Sequence, residues 1–313
     1  MMLRRRLGLV IAVLLGAYFI WHCVRVLPQL DLSILARPRS LLGFMAATLI
    51  YMLGVPLAGM AWFQLTRGSA GLTPGELSLI IARSQAAKYV PGNVAQYALR
   101  FGMAVQRGMQ ARTYLVSTGQ ETLLVVAASV TVGTLAMAMA ARATPELPDW
   151  VRMLAVSLPL LVCLVLGMSW LRGHSPLLER FLQIRIGNAS LRLGDLLPPA
   201  GRGLVAFALY SANYLLVGFA FWLLARSLHL PQSMGLLLIT SAFALSWLLG
   251  FLAPGAPAGI GVRESSMVWL MSHSAAAPEI LVLVLMTRLA TLTGDGLSFL
   301  IGWIAHLREQ PEP

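Results

Sequence analysis

The sequence predicts an all-α, polytopic membrane protein with about six full transmembrane helices and two broken, re-entrant helical hairpins. Composition is the first reason: of 313 residues, 58% are hydrophobic and 11% charged, too little polar surface to close a water-soluble globule. The second is the recurrence of apolar runs of about 20 residues, the length of one crossing. The third is a pair of Pro-Gly breaks inside apolar sequence, at Lys88-Tyr89-Val90-Pro91-Gly92-Asn93 and at Ala253-Pro254-Gly255-Ala256-Pro257-Ala258-Gly259-Ile260-Gly261-Val262-Arg263-Glu264. Such breaks strand backbone N–H and C=O groups, which a bilayer tolerates only where protein or a wet cavity satisfies them.

Taken in order, Met1-Met2-Leu3-Arg4-Arg5-Arg6 leads into an apolar run that reaches Leu27 with no small-residue cleavage pattern after it. It reads as an uncleaved first span, 7–27, with a cytoplasmic N-terminus. Further crossings are expected at 41–65, 114–140, 151–171, 203–225 and 279–304. Between the second and third lies 76–108, which Pro91-Gly92 cuts into pieces of about 14 residues, each about 21 Å long as helix. A hairpin that enters and leaves by one side is the economical solution. The second broken region, 235–273, also reads helix, break, helix; its arm 235–252 is almost long enough to cross alone, so a full crossing plus a buried half-helix is the alternative.

This layout divides one membrane domain into a first half, 1–171, a basic cytoplasmic linker, 172–202, and a second half, 203–313. Arg4, Arg5, Arg6, Arg172, Arg180, Arg185, Arg192 and Arg202 then share the N-terminal side, as the positive-inside rule requires. Span, hairpin, span occurs twice with opposite orientation, the plan of an inverted repeat; beyond the Pro-Gly breaks the halves show no sequence identity.

The helix after each break would aim its N-terminal N–H groups at the membrane centre, with Asn93 as the first N-cap and Arg263 and Glu264 in the opening turn of the second. A phosphate or carboxylate is the natural guest. Basic side chains stand close by: Lys88 before the first break, Arg100 two turns into the following helix, Arg263 after the second break and Arg288 in the last span. A charge at mid-span costs about 2.5 to 3.5 kcal/mol, so each should face a partner or a cavity. Glu121, Glu264 and Asp295 are available as ion-pair partners, and Glu121 could alternatively carry a coupling proton. Pro91, Gly92, Pro254, Gly255, Gly259 and Gly261 would shape the breaks.

Other classes find little support. The net charge of +11 comes from arginines between apolar stretches instead of along one face, which argues against nucleic acid. Of the 23 basic residues only Lys88 is a lysine, and arginine's planar fork is the better phosphate anchor. His22, His174, His229, His273 and His306 have no metal-ligand spacing, Cys23 and Cys163 are far apart, and no Gly-rich phosphate loop or nucleophile elbow occurs. No metal and no cofactor are expected.

On these same residues the chain resembles the membrane region of the bacterial lysylphosphatidylglycerol synthase/flippase and its stand-alone relatives. The resemblance rests on Lys88-Tyr89-Val90-Pro91-Gly92-Asn93, Arg100, Arg107-Gly108, Glu121 and Pro254-Gly255 through Gly259-Ile260-Gly261-Val262-Arg263-Glu264, in that order. The chain departs from the family pattern in having Glu121-Thr122 where Glu-Arg is frequent, and Pro254-Gly255-Ala256-Pro257-Ala258-Gly259 where a Pro-Gly-Gly turn is frequent. The resemblance implies a lipid flippase of the bacterial cytoplasmic (inner) membrane. Two-part relatives append a soluble aminoacyltransferase domain, for which the sequence past the last span leaves no room.

The expected activity is binding and translocation of an anionic phospholipid or lipid-linked glycan through a basic cavity between the two hairpins, with Lys88, Asn93, Arg100, Arg263, Glu264 and Arg288 as headgroup contacts. Membrane lipid is the expected partner, and a separate lipid-modifying enzyme or a second copy of the chain is a possible one. An intramembrane transferase using Glu121 or Glu264, or an accessory scaffold, are the alternatives.

Overall fold

The computed structural model describes residues 37–67, 71–90, 94–141, 159–160, 167, 193–253 and 256–309. The spans expected at 7–27 and 151–171 lie outside the described residues, apart from isolated positions of the latter, as do Pro91, Gly92, Asn93, Pro254 and Gly255. All regular structure among the described residues is helical.

Helix α1 (Pro38–Met52) starts with proline at its first position, where a missing N–H costs nothing. It runs on into α2 (Gly54–Thr66) through Leu53. The joint is at Leu53 because Pro56 has no N–H to offer the Met52 carbonyl. Helix α3 (Pro74–Ser84), a 3₁₀ turn (Gln85–Tyr89) and α4 (Ala95–Gln106) follow, and then the long α5 (Ala111–Ala141). The second half comprises α6 (Ala200–Ser227), α7 (Leu236–Leu252), a 3₁₀ turn (Pro257–Gly259), α8 (Val262–Met271) and α9 (Ala277–Glu309). Four stretches are long and apolar enough to cross a membrane: Pro38–Thr66, Ala111–Ala140, Ala200–Ser227 and Ala277–Arg308. They coincide with the expected crossings at 41–65, 114–140, 203–225 and 279–304. With 11, 12, 17 and 10 residues, α3, α4, α7 and α8 span about 17, 18, 26 and 15 Å as helix, all short of a hydrocarbon core of about 30 Å.

One expectation is corrected. The helix after the first break begins one residue later than an Asn93 cap implies: its N-cap is Val94, which has no side-chain acceptor for the free N–H groups. Helix α3 is better closed. Thr73 and Glu76 form a capping box in which the Glu76 carboxylate accepts from the Thr73 N–H and hydroxyl, each at 2.8 Å. Those hydrogen bonds hold the Glu76 carboxyl below the usual carboxylate range. The stabilisation is therefore complete above the ordinary carboxylate pKa and is lost as pH falls through the depressed one. Thr73→Ala is expected to cost about 1 kcal/mol, seen as faster amide exchange in the first turn of α3 with the remaining helices unaffected.

Packing relates the two halves. Helix α2 packs on α3 as α6 packs on α7, α3 on α4 as α7 on α8, and α4 on α5 as α8 on α9. Across the halves, α3 lies against α9 as α7 lies against α5, and α1 against α9 as α6 against α5. Exchanging the halves thus leaves the network nearly unchanged. The α1/α2 contacts with α6 and the contact between the two 3₁₀ turns map onto themselves, as elements on a two-fold axis would. Small residues mark equivalent places. A Cβ on Gly59 would meet Ser78 Oγ at 2.0 Å, and one on Gly218 would meet Thr240 Oγ1 at 2.1 Å. Ser78 and Thr240 hold the same position in α3 and α7, and each donates to the carbonyl four residues back. Glycine lets the backbones approach that closely where no hydrophobic drive exists between helices in lipid. The buried core follows the same plan, with Phe221, Leu224, Ile239 and Met271 in one cluster and Trp62, Leu77, Ile80 and Met103 in another. Leu42, Leu49, Leu204, Leu300 and Ile301 stay exposed on the outer faces, where lipid is the natural solvent.

Candidate functional site

Where the two 3₁₀ turns meet, a cavity of about 230 Å³ opens between the halves, lined from nearly every element, among others by Tyr51, Lys88, Glu121, Tyr214, Trp247 and Arg263. Three ion pairs surround it. Lys88 Nζ lies 2.6 Å from Asp295 Oδ2. The same carboxylate accepts from the Tyr89 hydroxyl at 2.5 Å and the Tyr51 hydroxyl at 3.0 Å. The first turn is thereby clasped to the last helix and to α1. Arg100 donates from both terminal nitrogens to Glu121, at 3.3 and 2.8 Å, with its guanidinium 4.4 Å over the Trp62 ring. Arg288 Nε is 3.0 Å from Glu264 Oε1, and the other Glu264 oxygen accepts from the Gly261 N–H at 2.6 Å. The last two pairs are related by the exchange of halves, since each joins the helix after a break to the span that follows it, but with the charges reversed.

Arg263 is the exception. Among the described residues it has no carboxylate within ion-pair distance, and its Nε is buried without a hydrogen-bond partner. Its guanidinium lies 5.7 Å from the Trp247 ring centroid. Two glycines make room for its stem: a Cβ on Gly250 would fall 2.4 Å from Arg263 Cγ, and one on Gly259 3.0 Å from the same atom. Gly259 and Gly261 also adopt φ of +70° and +82°, conformations open to glycine at no steric cost.

Of the residues expected to contact a headgroup, the cavity reaches Lys88 and Arg263. Arg100, Glu264 and Arg288 do not line it and stand behind it in ion pairs, and Asn93 lies outside the described residues. Glu121 lines the wall with its charge already met by Arg100, and Asp295 is the centre of the Lys88 clasp. Sequence reasoning missed Tyr51, Gln85, Asn213 and Trp247. Asn213 could have been found, as a carboxamide in the middle of the apolar run 203–225 is expensive in lipid unless it faces a cavity. The aromatic residues gave no such signal, being ordinary members of apolar helices.

A cavity with a surplus cation, enclosed by apolar helices, can hold an anion away from bulk water. The apolar helices and the family assignment together make this a multi-pass membrane protein. A search of curated proteins finds no match. The family model described as "Lysylphosphatidylglycerol synthase TM region" matches residues 7–297, and the chain belongs to that family.

Proposed function

We propose that this protein binds the headgroup of an anionic membrane lipid in the central cavity and moves it across the bacterial cytoplasmic membrane, the acyl chains staying in the bilayer. The observation that carries this reading is Arg263, a cavity-lining cation with no carboxylate within ion-pair distance among the described residues. A guanidinium retains its charge when partly desolvated and donates in pairs to phosphate oxygens. Lys88, 19% exposed at its side chain, can turn from Asp295 to a second oxygen. The N-termini of α4 and α8, with Asn93 before the first, would add N–H donors. Glu121 and Glu264, which a transferase would need as acid or base, are each held by an arginine.

The exchange of packing partners between halves supports an inverted repeat, with the short helices α3, α4, α7 and α8 as two re-entrant hairpins and the N-terminus in the cytoplasm. Alternating access would then consist of the two halves swapping equivalent contacts. The test is lipid scrambling in reconstituted vesicles. Arg263→Ala is expected to slow translocation of an anionic lipid by about tenfold or more, the worth of a charge-assisted hydrogen bond, and Lys88→Ala by less. Rates equal to wild type in both variants would overturn the proposal.

A further inference from the structure

A second, smaller cavity of about 30 Å³ lies among α6, α7, α8 and α9, lined by Phe221, Ser246, Glu264, Thr287 and two arginines, Arg263 and Arg288, among others. From this chamber we infer a binding site for one chloride-sized monovalent anion, held between the Arg263 and Arg288 guanidiniums.

Charge sets the sign of the guest. Arg288 is paired with Glu264, and Arg263 has no carboxylate within ion-pair distance among the described residues, so the chamber walls carry two guanidiniums against one carboxylate. One monovalent anion brings that sum to zero, whereas a cation adds to it and a dianion overshoots; buried charge left uncompensated is expensive. Donors are also to hand. Arg263 Nε and Arg288 Nη2 are both buried with no hydrogen-bond partner, and buried polar groups are rarely left so. The hydroxyls of Ser246 and Thr287 already donate to the carbonyls of Phe243 and Val284 in their own helices. The two guanidiniums are therefore the donors that an acceptor-only guest would use. In size, one water needs about 10 to 15 Å³, so the chamber admits a halide. Water would fit as well, but it brings no charge to set against Arg263.

The first half fills the equivalent place. Trp62 follows Gly59 by three residues as Phe221 follows Gly218, and both side chains are fully buried. Trp62 lays its indole over the Arg100 guanidinium at 4.4 Å. Phe221, with one ring fewer, stands edge-on to Phe243 with centroids 5.1 Å apart. An arginine–glutamate pair is thus covered by an indole in one half and borders a chamber in the other. Arg263 borders the central cavity too, so, on the function proposed above, the chloride neutralises it between lipid cycles.

The experiment uses the full chain in detergent, exchanged into sodium gluconate, with radiolabelled chloride as the probe in equilibrium dialysis. A single chloride per chain is expected, displaced by bromide but not by sulfate at equal ionic strength. Phe221→Trp rebuilds the first half's arrangement and fills the chamber without touching a charge; it should weaken chloride binding by about tenfold or more, and Thr287→Leu fills the chamber from α9 if that variant misfolds. Arg263→Gln breaks no ion pair among the described residues and should weaken binding to the same degree. No bound chloride, displacement by sulfate, or binding undiminished in the folded chamber-filling variants overturns the inference. A protein that binds no chloride yet scrambles anionic lipid would lose this site and keep the proposed function, and one that binds chloride yet scrambles nothing would do the reverse.

Discussion

Arg100→Leu is expected to destabilise the protein by about 3 to 5 kcal/mol, the cost of leaving one half of a buried ion pair alone. Both partners are nearly sealed, with side chains 7% and 11% exposed. Glu121, 11% exposed at its side chain, would keep no cation within ion-pair distance among the described residues, and Trp62 would lose the guanidinium over its ring. Arg100→Leu with Glu121→Leu should recover most of the loss, because replacing both charges removes the desolvation cost together with the attraction. The measurement is the thermal unfolding midpoint in one detergent for the two single variants and the double. Additive losses would show that the pair is not a coupled unit. Arg100 does not line the cavity, and removing it together with Glu121 leaves the net charge of the site unchanged, so the double variant, once folded, should still bind anionic lipid.

Asp295→Asn is expected to act in the opposite sense, raising the affinity for anionic lipid on the order of tenfold at modest cost to stability, since one more unpaired cation would face the guest. Asparagine keeps an oxygen for the Tyr51 and Tyr89 hydroxyls but no charge for Lys88. Lys88 borders the cavity, so its released ammonium can be solvated there, unlike that of a sealed pair. The surplus would rise from one positive charge to two, and the more highly charged anionic lipids should gain most. Lipid retention measured on wild type, Asp295→Asn and Asp295→Asn with Lys88→Ala checks this: removing Lys88 as well returns the surplus to one positive charge, so the third protein should bind about as wild type does. Unchanged lipid choice in Asp295→Asn would show that Lys88 does not reach the guest.

Much of the architecture was legible in the chain. Hydropathy placed four of the spans within a few residues of the helices observed, and the breaks marked the helices too short to cross. The charges that matter were also visible, because an ionised side chain in an apolar run stands out one residue at a time. The order of span, hairpin and span suggested a relation between the halves but not which helices pack together, because the sequence offers only scattered equivalences such as Gly59 with Ser78 and Gly218 with Thr240. Those pairs mean nothing until the helices are laid side by side.

The sequence by itself determined that the chain dissolves in lipid, that it is helical, where its helices are interrupted and which charged groups had to be hidden; each follows from local chemistry, from transfer free energy and from the geometry of proline and glycine. Tertiary structure alone decided the partners. Lys88 meets Asp295 and Arg100 meets Glu121 because the helices carrying them pack together, and Arg263 is left over because the turn that delivers it faces a cavity instead of an acid. Pairing depends on which faces come within a few ångströms once two halves close on one another, and a linear pattern of charges does not encode that distance.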